Sequence, residues 1–235
     1  MEVAFNNKKM LAKFNYVLNT YHELCEKHNL DLSYNSTWIS NLNLDHSTMS
    51  SDEIQSLISE KSLREDYLPR WKEHIGFPEH GRVVEIQQLG ESLCEDFDNF
   101  WQYAKYELPP EIGTASSALL VDYPEDGLTG WHTNWNANAY QILFTWSETG
   151  EGFFTYYDVP TDKVVVIKDK PGWQCRWYYF GRKDEPEHHC WHACYTKCRR
   201  MTLAFKFSNG GKTSWKDSSA QFLRDELVAE IESYE

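Results

Sequence analysis

His132, Thr133 and Asn134 form a His-x-Asn step, and His192 follows 60 residues later. Arg200 stands eight positions beyond His192, and Thr202 two beyond that. The flanking segments are rich in aromatic and β-branched residues, which predicts strands. Alternate side chains on a strand share a face, so His132 and Asn134 are expected to reach one point. Two imidazoles and one oxygen donor on one side of an ion leave positions open, an arrangement that suits non-heme iron(II). In RMTLAFKF, Arg200, Thr202 and Ala204 alternate and are expected to point inward together. A guanidinium there can grip a carboxylate at two points, as a dicarboxylate cosubstrate requires. Thr202 offers a hydroxyl donor, and Tyr123, nine residues ahead of His132, offers a phenol.

Taken together, Tyr-x8-His-x-Asn followed by His-x7-Arg-x-Thr resembles the iron(II)/2-oxoglutarate dioxygenases, in spacing most like their prolyl-hydroxylase and AlkB-type branches. The texture is also similar to oxygenase-like proteins of bacteriophages. The resemblance covers residues 115–208. It implies a double-stranded β-helix, iron(II) at His132 and His192, and 2-oxoglutarate held by Arg200, Thr202 and Tyr123. Lys206 is a second basic position on the same run. The implied reaction is an oxygenation, a hydroxylation in particular, that releases succinate and CO2.

Asn134 departs from the family, which has a carboxylate at this position. An amide brings a neutral carbonyl where a carboxylate brings charge, so affinity for a hard cation should fall. Three readings stay open. Asn134 ligates weakly with help from the cosubstrate. It leaves a position for water or chloride, as in the halogenating branch. Or the site is degenerate and the barrel binds a ligand or protein without turnover.

Cys190, Cys194 and Cys198, with His188, His189 and His192, form a rival soft-ligand cluster. Zinc sites usually pair ligands two to four residues apart and add a second, distant pair, which this run lacks. Buried thiols against a barrel wall are the simpler expectation. Among the tryptophans, Trp135 and Trp191 adjoin the proposed ligands and are expected, with Asn136, to line a substrate pocket.

The elements that must carry these residues follow from periodicity. Apolar residues at Met10, Leu11, Phe14, Val17, Leu18, Tyr21 and Leu24 predict a helix over 8–28, with Asn6 or Asn7 as its cap. A polar stretch over 29–50 predicts a loop. Ser51-Asp52-Glu53 predicts a helix start, and 63–71 a further helical piece limited by Pro69. Residues 82–88 predict a strand, 91–107 a helix, and 219–234 a last helix. Between them, 116–123, 139–147, 151–158, 163–169, 174–181 and 200–208 read as strands punctuated by turn residues. The expected whole is an α+β chain in one domain. Residues 1–112 are mainly helical support, 113–208 the double-stranded β-helix (jelly roll) core, and 209–235 a C-terminal helix.

The formal charge of −13, from 36 acidic and 23 basic residues, argues against duplex DNA as substrate, because such binding rests on neutralised phosphates. A small molecule or a protein side chain fits better, and a modified nucleobase stays open because aromatic rings could stack it. No run approaches the ~20 apolar residues of a membrane span. With no signal pattern and six cysteines, the expectation is a cytoplasmic protein (the host cytoplasm if viral) with reduced thiols.

Overall fold

The computed structural model describes residues 1–29, 49–73, 76, 78–85, 95–104, 116–134, 139–207 and 215–234. Chain order is β1 (Glu2–Val3), α1 (Lys8–Lys27), α2 (Ser51–Ser56), α3 (Glu60–Ser62), β2 (Gly81–Arg82), β3 (Val84–Glu85) and α4 (Glu95–Gln102). Then come β4 (Ser116–Tyr123), β5 (Leu128–His132), β6 (Ala139–Ser147), β7 (Gly152–Asp158), β8 (Lys163–Lys168), β9 (Gly172–Phe180), β10 (His192–Thr196), β11 (Arg200–Phe207) and α5 (Ser218–Glu232). All the strand pairs are antiparallel.

The strands form two sheets, ordered β1-β9-β6-β11-β4-β3 and β2-β5-β10-β7-β8. From β4 to β11 the chain crosses between sheets at every step except β7 to β8, and β4 ends beside β11. That winding is a jelly roll, a double-stranded β-helix, with helices added: an α+β fold.

Alternation along each strand separates three apolar layers. On β11, Met201, Leu203 and Phe205 join Phe14, Val17 and Tyr21 of α1 in a cluster outside the six-stranded sheet. Ile54, Leu63 and Tyr67 cover the outside of the five-stranded sheet against Trp131, Trp191 and Tyr195. Between the sheets lie Val121, Tyr123, Tyr178 and Phe180 from one side and Phe154 and Cys194 from the other. α1, α2, α4 and α5 therefore seal outer faces and leave the interior face free for polar groups.

Local chemistry sets the helix ends. Asn7 caps α1, its side chain accepting from the Met10 amide at 2.9 Å. Ser50 and Glu53 close a reciprocal capping box on α2, of a kind worth about 1 kcal/mol. The helical piece expected over 63–71 is a π-turn, Leu63–Tyr67, then a 3-10 turn, Leu68–Arg70, that Pro69 cannot continue as α-helix. Residues 82–88 were expected to form one strand. They divide instead between sheets: Gly81–Arg82 pairs with β5 and Val84–Glu85 with β4. With β1, this gives the mainly helical N-terminal region three strands, too short for periodicity to reveal. The loop expected over 29–50 falls almost wholly outside the described residues, as do 86–94, 105–115 and 208–214. Among the described residues no helix is long and apolar enough to cross a membrane.

Candidate metal and anion site

The bulged pairing of β5 with β10 sets His132 directly opposite His192, with ring centroids 4.0 Å apart. Each ring is held by its own strand. His132 Nδ1 lies 2.8 Å from the Gly130 carbonyl oxygen, and His192 Nδ1 2.8 Å from that of Cys190. A carbonyl only accepts, so each Nδ1 carries the proton and donates it. In a neutral imidazole that leaves the Nε2 lone pair as the ligating atom. Burial holds His132 down at about 4, against the two backbone carbonyls that favour its charged form. Burial, and then the His132 ring, hold His192 well below its ordinary range. Both rings line one cavity of about 240 Å³ between the sheets.

Arg200, Thr202 and Ala204 line the same cavity from β11, and Tyr123 from β4. Arg200 is 2% exposed. Its Nε donates to Asp169 Oδ2 at 2.9 Å, its Nη1 to Thr202 Oγ1 at 2.8 Å, and its Cζ sits 5.0 Å from the Tyr123 ring centroid. Among the described residues Nη2 has no hydrogen-bond partner, which leaves that end of the fork able to take a ligand oxygen. The Tyr123 hydroxyl accepts from Thr129 Oγ1 at 3.2 Å and lies beside the Cys194 thiol. Burial pushes that phenol far above its usual range, so it stays protonated.

Asn134 lines the cavity, half-buried, but not by strand alternation. β5 ends at His132, so Asn134 reaches the cavity from beyond the strand end. Its neighbour Thr133 is fully buried, with an unmatched hydroxyl. Trp191, expected at the pocket wall, lies instead in the outer core, 2% exposed, its ring 6.1 Å from that of Tyr67. It immediately precedes β10, and the chain turns its side chain outward as it turns His192 inward. Trp135 and Asn136 lie outside the described residues.

The cysteines do not converge. Cys194 lines the cavity, Cys190 lines a separate hollow beside Tyr178, and Cys198 packs on Ser147 and Thr196. Among the described residues no three His, Cys, Asp or Glu side chains come together to hold an ion. The cavity lining contains no aspartate or glutamate among those residues. A divalent ion would therefore rest on His132, His192 and the Asn134 amide, with anionic ligands coming from outside the chain. The two imidazoles fit such an ion; the missing charge must be supplied. Asp169, which orients Arg200 from behind the cavity, carried no signal in the spacing, since it lies 31 residues earlier in the chain.

No protein-family model matches this chain, and no curated protein does. Solved structures of limited likeness include oxalate oxidase in complex with the substrate analogue glycolate. It has 16% identity and a TM-score of 0.31, over 51% of this chain and 62% of that one. Another is Peruvianin-I, a cysteine peptidase from Thevetia peruviana latex, with 14% identity and a TM-score of 0.27, over 39% and 50%. A third is hydroxypropylphosphonic acid epoxidase from S. wedmorenis with fosfomycin, with 15% identity and a TM-score of 0.26, over 41% and 46%. This chain thus spans less than two thirds of each. The fold assignment rests on the strand order itself.

Proposed function

We propose that this cavity holds iron(II) and 2-oxoglutarate, and that the protein is an oxygenase that hydroxylates a small molecule or a protein side chain. The observation that carries the reading is the meeting of two imidazoles, their Nδ1 protons committed to carbonyls, with the Arg200–Thr202–Tyr123 group in one cavity. His132 and His192 would hold the ion, with Asn134 as a neutral third donor. Arg200 Nη2 and the Tyr123 hydroxyl would take the distal carboxylate of the cosubstrate. Iron and cosubstrate supply the oxidising chemistry when bound: one oxygen atom of O2 enters succinate as CO2 leaves, and the other enters the substrate C–H bond.

The chain's own part is orientation and exclusion of water. Phe154 and Phe180 wall the cavity beside His192, their ring centroids 5.6 and 5.0 Å from its ring. A volume of about 240 Å³ is below the roughly 300–1,000 Å³ of drug-sized pockets. It suits a five-carbon diacid with only the reacting end of a substrate, which favours a side chain or a small molecule over a stacked nucleobase.

The assay is release of succinate and CO2 from 2-oxoglutarate under iron(II), ascorbate and oxygen. Turnover is expected in the wild type and absent in His132→Ala and His192→Ala. If 2-oxoglutarate neither binds nor turns over, and His132→Ala changes nothing, the oxygenase reading is lost. The lack of a lining carboxylate among the described residues favours one second reading, a ligand-binding barrel without turnover. It predicts binding of 2-oxoglutarate with no succinate formed.

A further inference from the structure

Three buried charged groups set the electrostatics between the sheets. Arg200 pairs with Asp169, with side chains 2% and 0% exposed. Asp169 Oδ1 has no partner, so the carboxylate is held on one side only. Arg176, 5% exposed, is on β9 and shares the interior face of Tyr178 and Phe180. Its Nη2 donates to the Gln174 side chain at 2.8 Å, and its Nε is unmatched. No carboxylate among the described residues pairs with it. Glu2, opposite it in register, is exposed and bonded to Lys170. Asp122, the remaining buried charged residue, lies on the outer face against Tyr21 of α1.

Among the described residues the interior therefore holds two guanidinium groups against one carboxylate. Arg176 faces Leu143 across the β9–β6 pairing, and Leu143 lines the cavity, so this positive charge is one side chain removed from it. The histidines add no balancing charge, and Asn134 offers a hard cation only a neutral oxygen. A divalent cation entering alone meets a net positive surrounding in a low-dielectric space, where charge is poorly screened. A dianion entering first finds Arg200 Nη2 unpaired and the field of Arg176 behind it, and it reverses the balance.

We propose that the cavity fills in a set order, the dicarboxylate first and the divalent cation second, because among the described residues its lining holds a guanidinium and no carboxylate, and a second guanidinium without a paired carboxylate lies one side chain behind it. This rests on the oxygenase reading, but it concerns binding and is read without turnover.

The test uses the full-length protein stripped with a chelator. It is titrated with 2-oxoglutarate by calorimetry, and separately with Mn2+ by the electron paramagnetic resonance of the free ion, with and without saturating 2-oxoglutarate. The expected result is dicarboxylate binding in the presence of chelator, and Mn2+ affinity raised about tenfold or more by 2-oxoglutarate, within the usual range of coupling between sites. Asn134→Asp supplies a wall carboxylate, so Mn2+ alone should bind more tightly and the gain from 2-oxoglutarate should shrink. Arg176→Gln should weaken 2-oxoglutarate binding in chelator. If that variant does not fold, Asn134→Asp decides the question by itself. Equal Mn2+ affinity with and without 2-oxoglutarate, or dicarboxylate binding only after metal, overturns the order and leaves the oxygenase reading standing. No Mn2+ binding under either condition overturns both.

Discussion

Arg199 and Arg200 are consecutive, each bonded to a buried aspartate, and the two pairs serve opposite faces of one sheet. Outside, Arg199 Nη2 lies 3.5 Å from Asp122 Oδ2, with Asp122 1% and Arg199 33% exposed. The Tyr21 hydroxyl of α1 donates to the same oxygen at 3.3 Å. Inside, Arg200 and Asp169 are both sealed from water at 2.9 Å. The outer aspartate is shared between a helix and a half-exposed arginine, and so fastens α1 to the barrel. The inner pair has donor and acceptor capacity left over, and Arg200 lines the cavity. The same two residue types make a fastening where a helix completes them, and leave hydrogen-bonding capacity in the cavity where nothing among the described residues does.

The contrast breaks most sharply at Arg200. Arg200→Met leaves Asp169 buried without its partner, which should cost about 3–5 kcal/mol in denaturant unfolding. Adding Asp169→Leu should recover much of that loss while 2-oxoglutarate binding stays absent, separating the stability of the pair from its role.

Asp122→Asn should give an intermediate effect that depends on pH. Burial, opposed by Arg199 and Tyr21, raises Asp122 to about 6 from an ordinary 3.8. The folded chain thus keeps a proton between about pH 4 and 6 that the unfolded chain has released. This group's contribution to stability is full below about pH 4 and lost as pH rises through 6. Across that window the wild type should lose on the order of 2–3 kcal/mol relative to Asp122→Asn. Melts at pH 4 and 7 measure it, and a pH-independent difference would remove the buried-carboxylate account.

Arg199→Met should have the smallest effect, below about 1 kcal/mol, because its partner distance is long and its side chain half-exposed. If it costs as much as Arg200→Met, the two pairs are equivalent and the contrast fails.

Much of this arrangement was legible in the chain. The runs 139–147, 163–169 and 200–208 became β6, β8 and β11 within a residue or so, because their β-branched and aromatic residues suit a pleated sheet. Alternation in RMTLAFKF placed Arg200, Thr202 and Ala204 on the cavity side. Applied to Trp191 and His192 the same rule would have sent Trp191 outward, since neighbours on an extended chain face opposite ways. The two-residue strands β1, β2 and β3 left no periodic trace, and their pairing partners lie far away in sequence.

By itself the sequence determined the strand-forming stretches, the helical face that α1 buries, and the set of residue types able to hold an ion and an anion. Propensity and periodicity are local properties, written into each segment. Only the tertiary structure decided that His132 and His192 meet at a bulge, that Asp169 occupies one edge of Arg200, and that Arg176 is enclosed with no paired carboxylate among the described residues. Those are relations between strands on opposite sheets, and their energies come from water excluded between the two, which no single segment excludes alone.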